Sequence, residues 1–258
     1  MNAPLRVLSC ALLLCSVPAW GIALFGGDHP ANQADPPNGA PWRYVANLGT
    51  QTASGIYLGK RFILTANHIA EQDLTPILLD GVSYVHDPGF PPMRIGQDDI
   101  RLFRILGDPG LPVMPLIAKF ESDLNRRATV VGWGFGTGTE IAGQGWQRNS
   151  VRVCRWGTNT TFARYFNTAD GTRLVTAFNA DVGPNEMSLM LGDSGGGLFI
   201  KTAGTWKLAG VCVDNDNVEQ AFYDKDTTKP GNQPDHAYYV PVKLHRQEIR
   251  TVIREAAP

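Results

Sequence analysis

Gly192-Asp193-Ser194-Gly195-Gly196-Gly197-Leu198-Phe199-Ile200 is the stretch that decides the fold of this chain. Glycines on both sides of Ser194 let the backbone turn sharply and bring N–H groups close to a reacting carbonyl. Leu198-Phe199-Ile200, after three glycines, is poor helix material and good strand material. Ser194 is therefore expected in a tight turn that feeds a strand. A serine hydroxyl is a weak nucleophile at neutral pH: it needs a base for its proton, and the base needs a third group to fix its tautomer and stabilise its charge.

Two upstream segments supply those groups. Leu64-Thr65-Ala66-Asn67-His68 reads as a strand end delivering a histidine, and Asp99-Ile100-Arg101-Leu102-Phe103-Arg104-Ile105 as an aspartate opening an alternating strand. Alone, the histidine reads as structural and the aspartate as a turn residue. Together with Ser194, in the order His, Asp, Ser, they resemble the motifs of the chymotrypsin (trypsin-like) serine protease family: LTA-x-H at Leu64 to His68, D-I-x-L at Asp99 to Leu102 and GDSGG at Gly192 to Gly196. Gly132-Trp133-Gly134 and a terminal helix after Tyr239 extend the match over nearly the whole chain beyond the first two dozen residues.

The resemblance implies an all-β fold of two antiparallel six-stranded β-barrels with a C-terminal α-helix. One barrel, 24–120, would carry His68 and Asp99; the other, 121–258, would carry Ser194 and the helix. It implies a secreted serine endopeptidase working through an acyl-enzyme, with Ser194 as nucleophile, His68 as general base, Asp99 as orienting acid and the N–H groups of Gly192 and Ser194 as the oxyanion hole. Ser188 would be the floor of the substrate pocket, with Val213, Asn215 and Ala237 in its walls. A neutral Ser188 removes the anchor for basic side chains, and Asn215 and Ala237, standing where large-pocket members have glycine, narrow the pocket. Leu24-Phe25-Gly26-Gly27 resembles the family's I-V-G-G start, so a free ammonium at Leu24 would pair with Asp193.

The sequence also departs from the family. Asn67 stands where alanine is usual and Ile69 where cysteine is usual, so the disulfide beside the histidine is absent; Gly197 replaces a common proline. Only 31 positions separate His68 from Asp99. Few staples and trimmed loops suit a bacterial-type member.

The rest of the chain agrees with a turn-rich β protein. Gly 28 and Pro 18 in 258 residues favour many short strands, expected at Trp42 to Leu48, Gly55 to Thr65, Ile100 to Ile105, Thr129 to Trp133, Val151 to Cys154, Gly197 to Lys201 and Lys207 to Val213. Pro112 to Arg127 reads as a connection between halves. Lys243 to Arg254, with Leu244, Ile249, Val252 and Ile253 at helical spacing, reads as a helix. Asp214 to His236 is polar and loop-like. Its Asp214-Asn215-Asp216-Asn217 run hints at calcium but lacks the glycine and distal glutamate of an EF-hand loop, so a solvated loop is expected and no metal or other cofactor.

Met1 to Arg6 followed by the apolar run Val7 to Trp20 reads as a cleaved secretory signal, drawn as residues 1–23, with processing after Ala19 or after Ala23. The protein is expected to be secreted or periplasmic, with no stable membrane insertion afterwards. Removal of Cys10 and Cys15 would leave Cys154 and Cys212, either disulfide-bonded or two buried thiols. A net charge of −1 gives no basic field for nucleic acid. The expected partner is a protein or peptide substrate, met by a monomer. Two alternatives stay open: a non-catalytic binding protein on the same fold, and a lipase or esterase whose G-x-S-x-G elbow leads into a helix, with its acid and histidine after the serine. His236 and His245 do follow Ser194, in no recognisable context.

Overall fold

The structure, a computed structural model, describes residues 22–49, 53–167, 171–217, 219–223 and 233–256. Most of the expected signal segment, with Cys10 and Cys15, lies outside the described residues.

The strands are β1 (Ala23–Leu24), β2 (Val45–Leu48), β3 (Ala53–Gly59), β4 (Phe62–Ala66), β5 (Ile77–Leu79), β6 (Val82–Tyr84), β7 (Met93–Arg94), β8 (Ile100–Arg104), β9 (Arg126–Gly132), β10 (Phe135–Ile141), β11 (Gly145–Arg152), β12 (Arg155–Asn167), β13 (Gly171–Ala177), β14 (Met187–Ser188), β15 (Gly197–Thr202), β16 (Thr205–Asn215), β17 (Gln220–Phe222) and β18 (His236–Pro241), followed by helix α1 (Val242–Ala256). Their pairings are antiparallel. In the second half, β12-β13-β18-β16-β15-β9 close into a six-stranded barrel, and β10-β11-β17 form a separate three-stranded sheet.

The expected all-β architecture with a terminal helix is what the structure has, with one difference of detail. The first half is a seven-stranded sheet, β6-β5-β2-β3-β4-β8-β7, ending on β6 and β7 instead of a closed six-stranded ring. Both end strands are short and largely exposed, and Pro91-Pro92 before β7 offers no backbone donor to extend the ladder. Gly55 to Thr65, read as one run, is the β3–β4 hairpin. Its two turn residues, Lys60 and Arg61, have φ of 51° and 68°, the left-handed geometry of a tight hairpin turn. Strands also run through 135–177, where the sequence reading had only Val151 to Cys154; of that segment, residues 151 and 152 end β11 and residues 153 and 154 lie outside any strand.

One apolar cluster fills the first half, with Ile56, Phe62, Leu64, Leu102 and Phe103 fully buried; a second, with Val130, Leu174, Leu198, Ile200 and Tyr239, fills the barrel. Ile22, Ala23 and Leu24 are also fully buried, and β1 pairs with β14 through Ala23↔Ser188 and Leu24↔Met187. A signal boundary after Ala23 would cut this strand, so residues 22 and 23 belong to the folded body. Cys154 and Cys212 are both free and buried, which settles their alternative as thiols. Burial pushes both well above the usual thiol range.

Helix α1 docks through Val242 and Ile249, both fully buried in the apolar cluster that fills the first half and extends into β16 and β18. Leu244, expected on the apolar face, is 49% exposed. Ile249→Ala should therefore lower the unfolding free energy by about 2–5 kcal/mol, whereas Leu244→Ala should stay within about 0.5 kcal/mol of wild type. Urea denaturation of both variants checks this, and equal losses would contradict the docking.

Candidate active site

Pairing of β4 with β8 brings the first two site residues together. Ala66 is opposite Ile100 in the ladder, so the residues just beyond, Asn67-His68 and Asp99, leave the sheet edge side by side. The Asn67 amide donates to the Asp99 carbonyl (3.2 Å). One Asp99 carboxylate oxygen accepts the His68 amide (2.8 Å) and the other meets His68 Nδ1 at 2.7 Å. Asp99 thus holds the histidine by backbone and ring at once, which assigns the proton to Nδ1 and leaves Nε2 as the basic nitrogen. The His68 ring is 45% exposed and faces a cleft of about 580 Å³, also bordered by Asp99, Arg173, Asp214, Asp216 and Tyr238.

Ser194 comes from the other half. It lies in the turn between β14 and β15, so a strand follows it, and the lipase-type elbow, which needs a helix there, is excluded. The turn is pinned from several sides: Asp193 N–H donates to Met190 O (3.1 Å), Gly195 N–H to Cys212 O (2.8 Å), Gly196 N–H to Asp193 O (2.8 Å), and Ser194 O accepts from Ser54 N–H (2.8 Å). Gly195 sits so close to Ser54 that a Cβ would fall 2.0 Å from its carbonyl oxygen. Among the described residues, the N–H groups of Gly192 and Ser194 donate to no protein acceptor, while those of 193, 195 and 196 all do. Two donors flanking a nucleophile and left without a partner are what an oxyanion hole requires.

Ser194 does not hydrogen-bond His68 among the described contacts. It borders a smaller cavity of about 40 Å³ whose wall Val213, Asp214 and Asn215 is shared with the His68 cleft. Such nucleophile–base contacts are often long before substrate arrives.

The expected substrate pocket is partly corrected. Val213 and Asn215 do border the small cavity, together with Leu189, Met190 and Leu191, but Ser188 and Ala237 do not. The reason is Asn215, whose side-chain amide donates to Leu189 O (2.5 Å) and Asn217 O (2.8 Å) and so straps the two walls together above the expected floor. Ser188 and Ala237 are each 1% exposed, and the Ser188 hydroxyl has no hydrogen-bond partner among the described residues.

Leu24 is here an interior residue of β1, without the free ammonium that the expected pairing with Asp193 requires. Leu24 N–H donates to Thr137 Oγ1 (2.9 Å) within a paired strand and does not reach Asp193. The Asp193 carboxylate is fully buried and accepts the Met190 amide at 2.9 Å. Burial pushes its pKa up to about 7, while the Met190 amide and the guanidinium groups of Arg152 and Arg155 pull against it. Gly132 and Gly134 clear space for this carboxylate: a Cβ on either would come within 2.5 Å of it.

Residues that sequence reasoning missed include Ser54, whose hydroxyl donates to Gly192 O (3.2 Å) and accepts from Trp133 N–H (2.8 Å). Tyr165, Arg173 and Tyr238 of the cleft were missed as well, and no motif marks any of them. Among the described residues, no three His, Cys, Asp or Glu side chains gather in a metal-binding group. The Asp216 carboxylate of the suspected calcium run is instead engaged by His236 and Tyr238.

No curated protein matches the chain in sequence. The family model described as Trypsin matches residues 30–228, a span that takes in His68, Asp99 and Ser194. With its closed barrel, terminal helix and this match, the chain belongs to the trypsin family of chymotrypsin-like serine proteases.

Proposed function

We propose that this protein is an active, exported serine endopeptidase that cleaves after small uncharged residues. The observation that carries the reading is the double hold of Asp99 on His68, in a cleft whose wall also borders Ser194. His68 Nε2 takes the Ser194 proton as the hydroxyl oxygen attacks the peptide carbonyl. Charge developing on the carbonyl oxygen is met by the N–H groups of Gly192 and Ser194, while Asp99 stabilises the imidazolium. His68 then gives its proton to the leaving amine, and an acyl-enzyme remains on Ser194. Water enters from the open His68 side and loses a proton to His68 as it attacks the acyl carbon; His68 then returns that proton to Ser194 Oγ as the acid leaves.

Export rests on the basic start and apolar run of residues 1–19. Processing after Ala19 rather than Ala23 keeps Ile22, Ala23 and Leu24 in the body where they are buried.

Replacing Ser194 or His68 by alanine should lower kcat on peptide or ester substrates by on the order of 10⁴ to 10⁶-fold without changing the circular dichroism spectrum. A serine-directed phosphonate should label wild type and not Ser194→Ala. Hydrolysis by Ser194→Ala at near the wild-type rate would refute the assignment.

A cavity of about 40 Å³ strapped by Asn215 has room for only a short side chain before the scissile bond. In a peptide-library profile, Asn215→Gly should move preference toward larger apolar residues by roughly 10- to 100-fold, the scale of one or two methylenes in a pocket. Dominant wild-type cleavage after Arg or Lys would contradict the pocket.

Asp216 organises the cleft wall by accepting the His236 amide at 2.9 Å and the Tyr238 hydroxyl at 2.8 Å. Burial works against its ionisation, but the His236 contacts and the Tyr238 hydroxyl outweigh it and hold the carboxyl at about 2. A carboxylate depressed in the folded state contributes stability above its unfolded pKa, and that contribution fades as pH falls through the folded value. Asp216→Asn should thus cost about 1 kcal/mol at pH 7, solvent screening considered. The difference should shrink as the pH is taken from 4 toward 2. Denaturant titrations at both ends of that window measure it, and a constant difference would contradict the assignment.

A further inference from the structure

Asp98, one residue before Asp99, is gripped from the opposite half of the molecule. His245 Nε2 on α1 meets one of its carboxylate oxygens at 2.6 Å, and Arg173 Nη1 on β13 meets the other at 3.5 Å. All three side chains are shielded, with exposures of 13%, 11% and 9% for Asp98, His245 and Arg173. One turn along the helix from His245, Glu248 accepts the Gly96 amide at 3.0 Å, so two residues on one helix face hold the same loop. Gly171 opens β13 with φ +77°, and a Cβ there would fall 1.6 Å from an Asp98 carboxylate oxygen.

The loop needs such a grip. It runs along the free edge of the first-half sheet, where β7 contributes only two residues. Its own bonds are few: Ile100 N–H (2.9 Å) and Arg94 Nε (3.1 Å) both donate to the Asp98 carbonyl, Arg94 Nη2 donates to the Gln97 carbonyl, and Ile95 N–H donates to Ile100 O (3.0 Å). Asp99 sits inside this narrow loop, and its carboxylate must meet both the amide and the ring of His68. Catalytic geometry of this kind tolerates only about 0.5 Å of displacement.

We infer that Asp98, His245 and Arg173 form a positioning clamp through which the terminal helix and the barrel fix the aim of Asp99 at His68. None of the three needs to touch the reacting atoms; they act through the backbone of Asp99. The inference rests on the reading of His68, Asp99 and Ser194 as a working triad. It goes further in making the terminal helix part of the catalytic apparatus.

The test compares His245→Ala, His245→Phe and His245→Gln in the full chain. Phenylalanine keeps ring volume without the hydrogen bond, and the glutamine amide restores a donor. His245→Ala and His245→Phe should each lower kcat roughly 10-fold with KM little changed, the usual scale for residues that orient a functional ligand. In proton NMR, the low-field signal of the His68 Nδ1–H bonded to Asp99 should broaden or move upfield in both. His245→Gln should recover most of kcat and the signal. Wild-type kcat and signal in His245→Phe, or a loss in His245→Gln as large as in His245→Phe, would overturn the clamp whatever happens to thermal stability. If wild type itself is not labelled at Ser194, the proposed activity fails, and the low-field signal still decides the clamp.

Discussion

The site is organised around a buried carboxylate. Taking Asp193 out of water would cost several kcal/mol if nothing met it, and the surroundings answer that demand one residue at a time. The Met190 amide points at it, Gly132 and Gly134 leave room for it, and Arg152 and Arg155 oppose the rise in its pKa. Each answer also shapes the loop that carries Ser194. The bond from Met190 N–H to the Asp193 side chain and that from Asp193 N–H to Met190 O close a small ring over residues 190–193. That ring, with Gly192 at φ +93°, leaves the N–H groups of 192 and 194 without an acceptor among the described residues.

The second demand, under the proposed function, is that two halves of the chain hold one reaction between them. The joint is Ser54, on β3. Its amide donates to Ser194 O, its carbonyl accepts from Thr65 Oγ1 (2.7 Å), and its hydroxyl bridges Gly192 O and Trp133 N–H. One fully buried serine therefore ties the His68-bearing hairpin to the Ser194 turn through every polar group it has. The Asp98 contacts on the far side of the triad do the same for Asp99. Between these two ties the halves have little freedom to slide, which is what a nucleophile on one and a base on the other require.

What could be read from the sequence follows from how local the constraint is. The turn at 192–197 was legible because left-handed backbone and close approach admit only glycine at Gly192 and Gly195. The β4 and β8 ends were legible because His68 and Asp99 each terminate a clear apolar strand. Apart from the end of β11, read at Val151 to Cys154, the strands β10 to β13 were not, because Thr, Asn and Arg recur there among the apolar residues, and their stability comes from sheet partners rather than from local pattern. The β3–β4 turn was missed because Lys60 and Arg61 carry no turn signature. The roles of Ser54, Asn215 and Asp98 were hidden for a further reason: each has a decisive partner more than twenty residues away in sequence. The narrow pocket was anticipated from Asn215 as bulk, whereas the structure uses it as a hydrogen-bonding strap.

The N-terminal segment shows how one loop can be ordered in a way the motif did not foretell. The resemblance assigned Leu24 to supply an ammonium to Asp193. In the structure the same residue spends its amide on Thr137 Oγ1 and its backbone on pairing with Met187, while Ala23 pairs with Ser188 directly beneath the pocket. Ile22, Ala23 and Leu24 fill core positions, which a charged terminus at Leu24 would have to leave. The positive charge near Asp193 comes from Arg152 and Arg155, which end β11 and open β12 on either side of a short connection. The segment still braces the wall that leads into Ser194, but by strand pairing and apolar burial rather than by charge. Both forces act between interior positions of the chain, so the order of the 187–194 loop is tied to folding of the barrel itself.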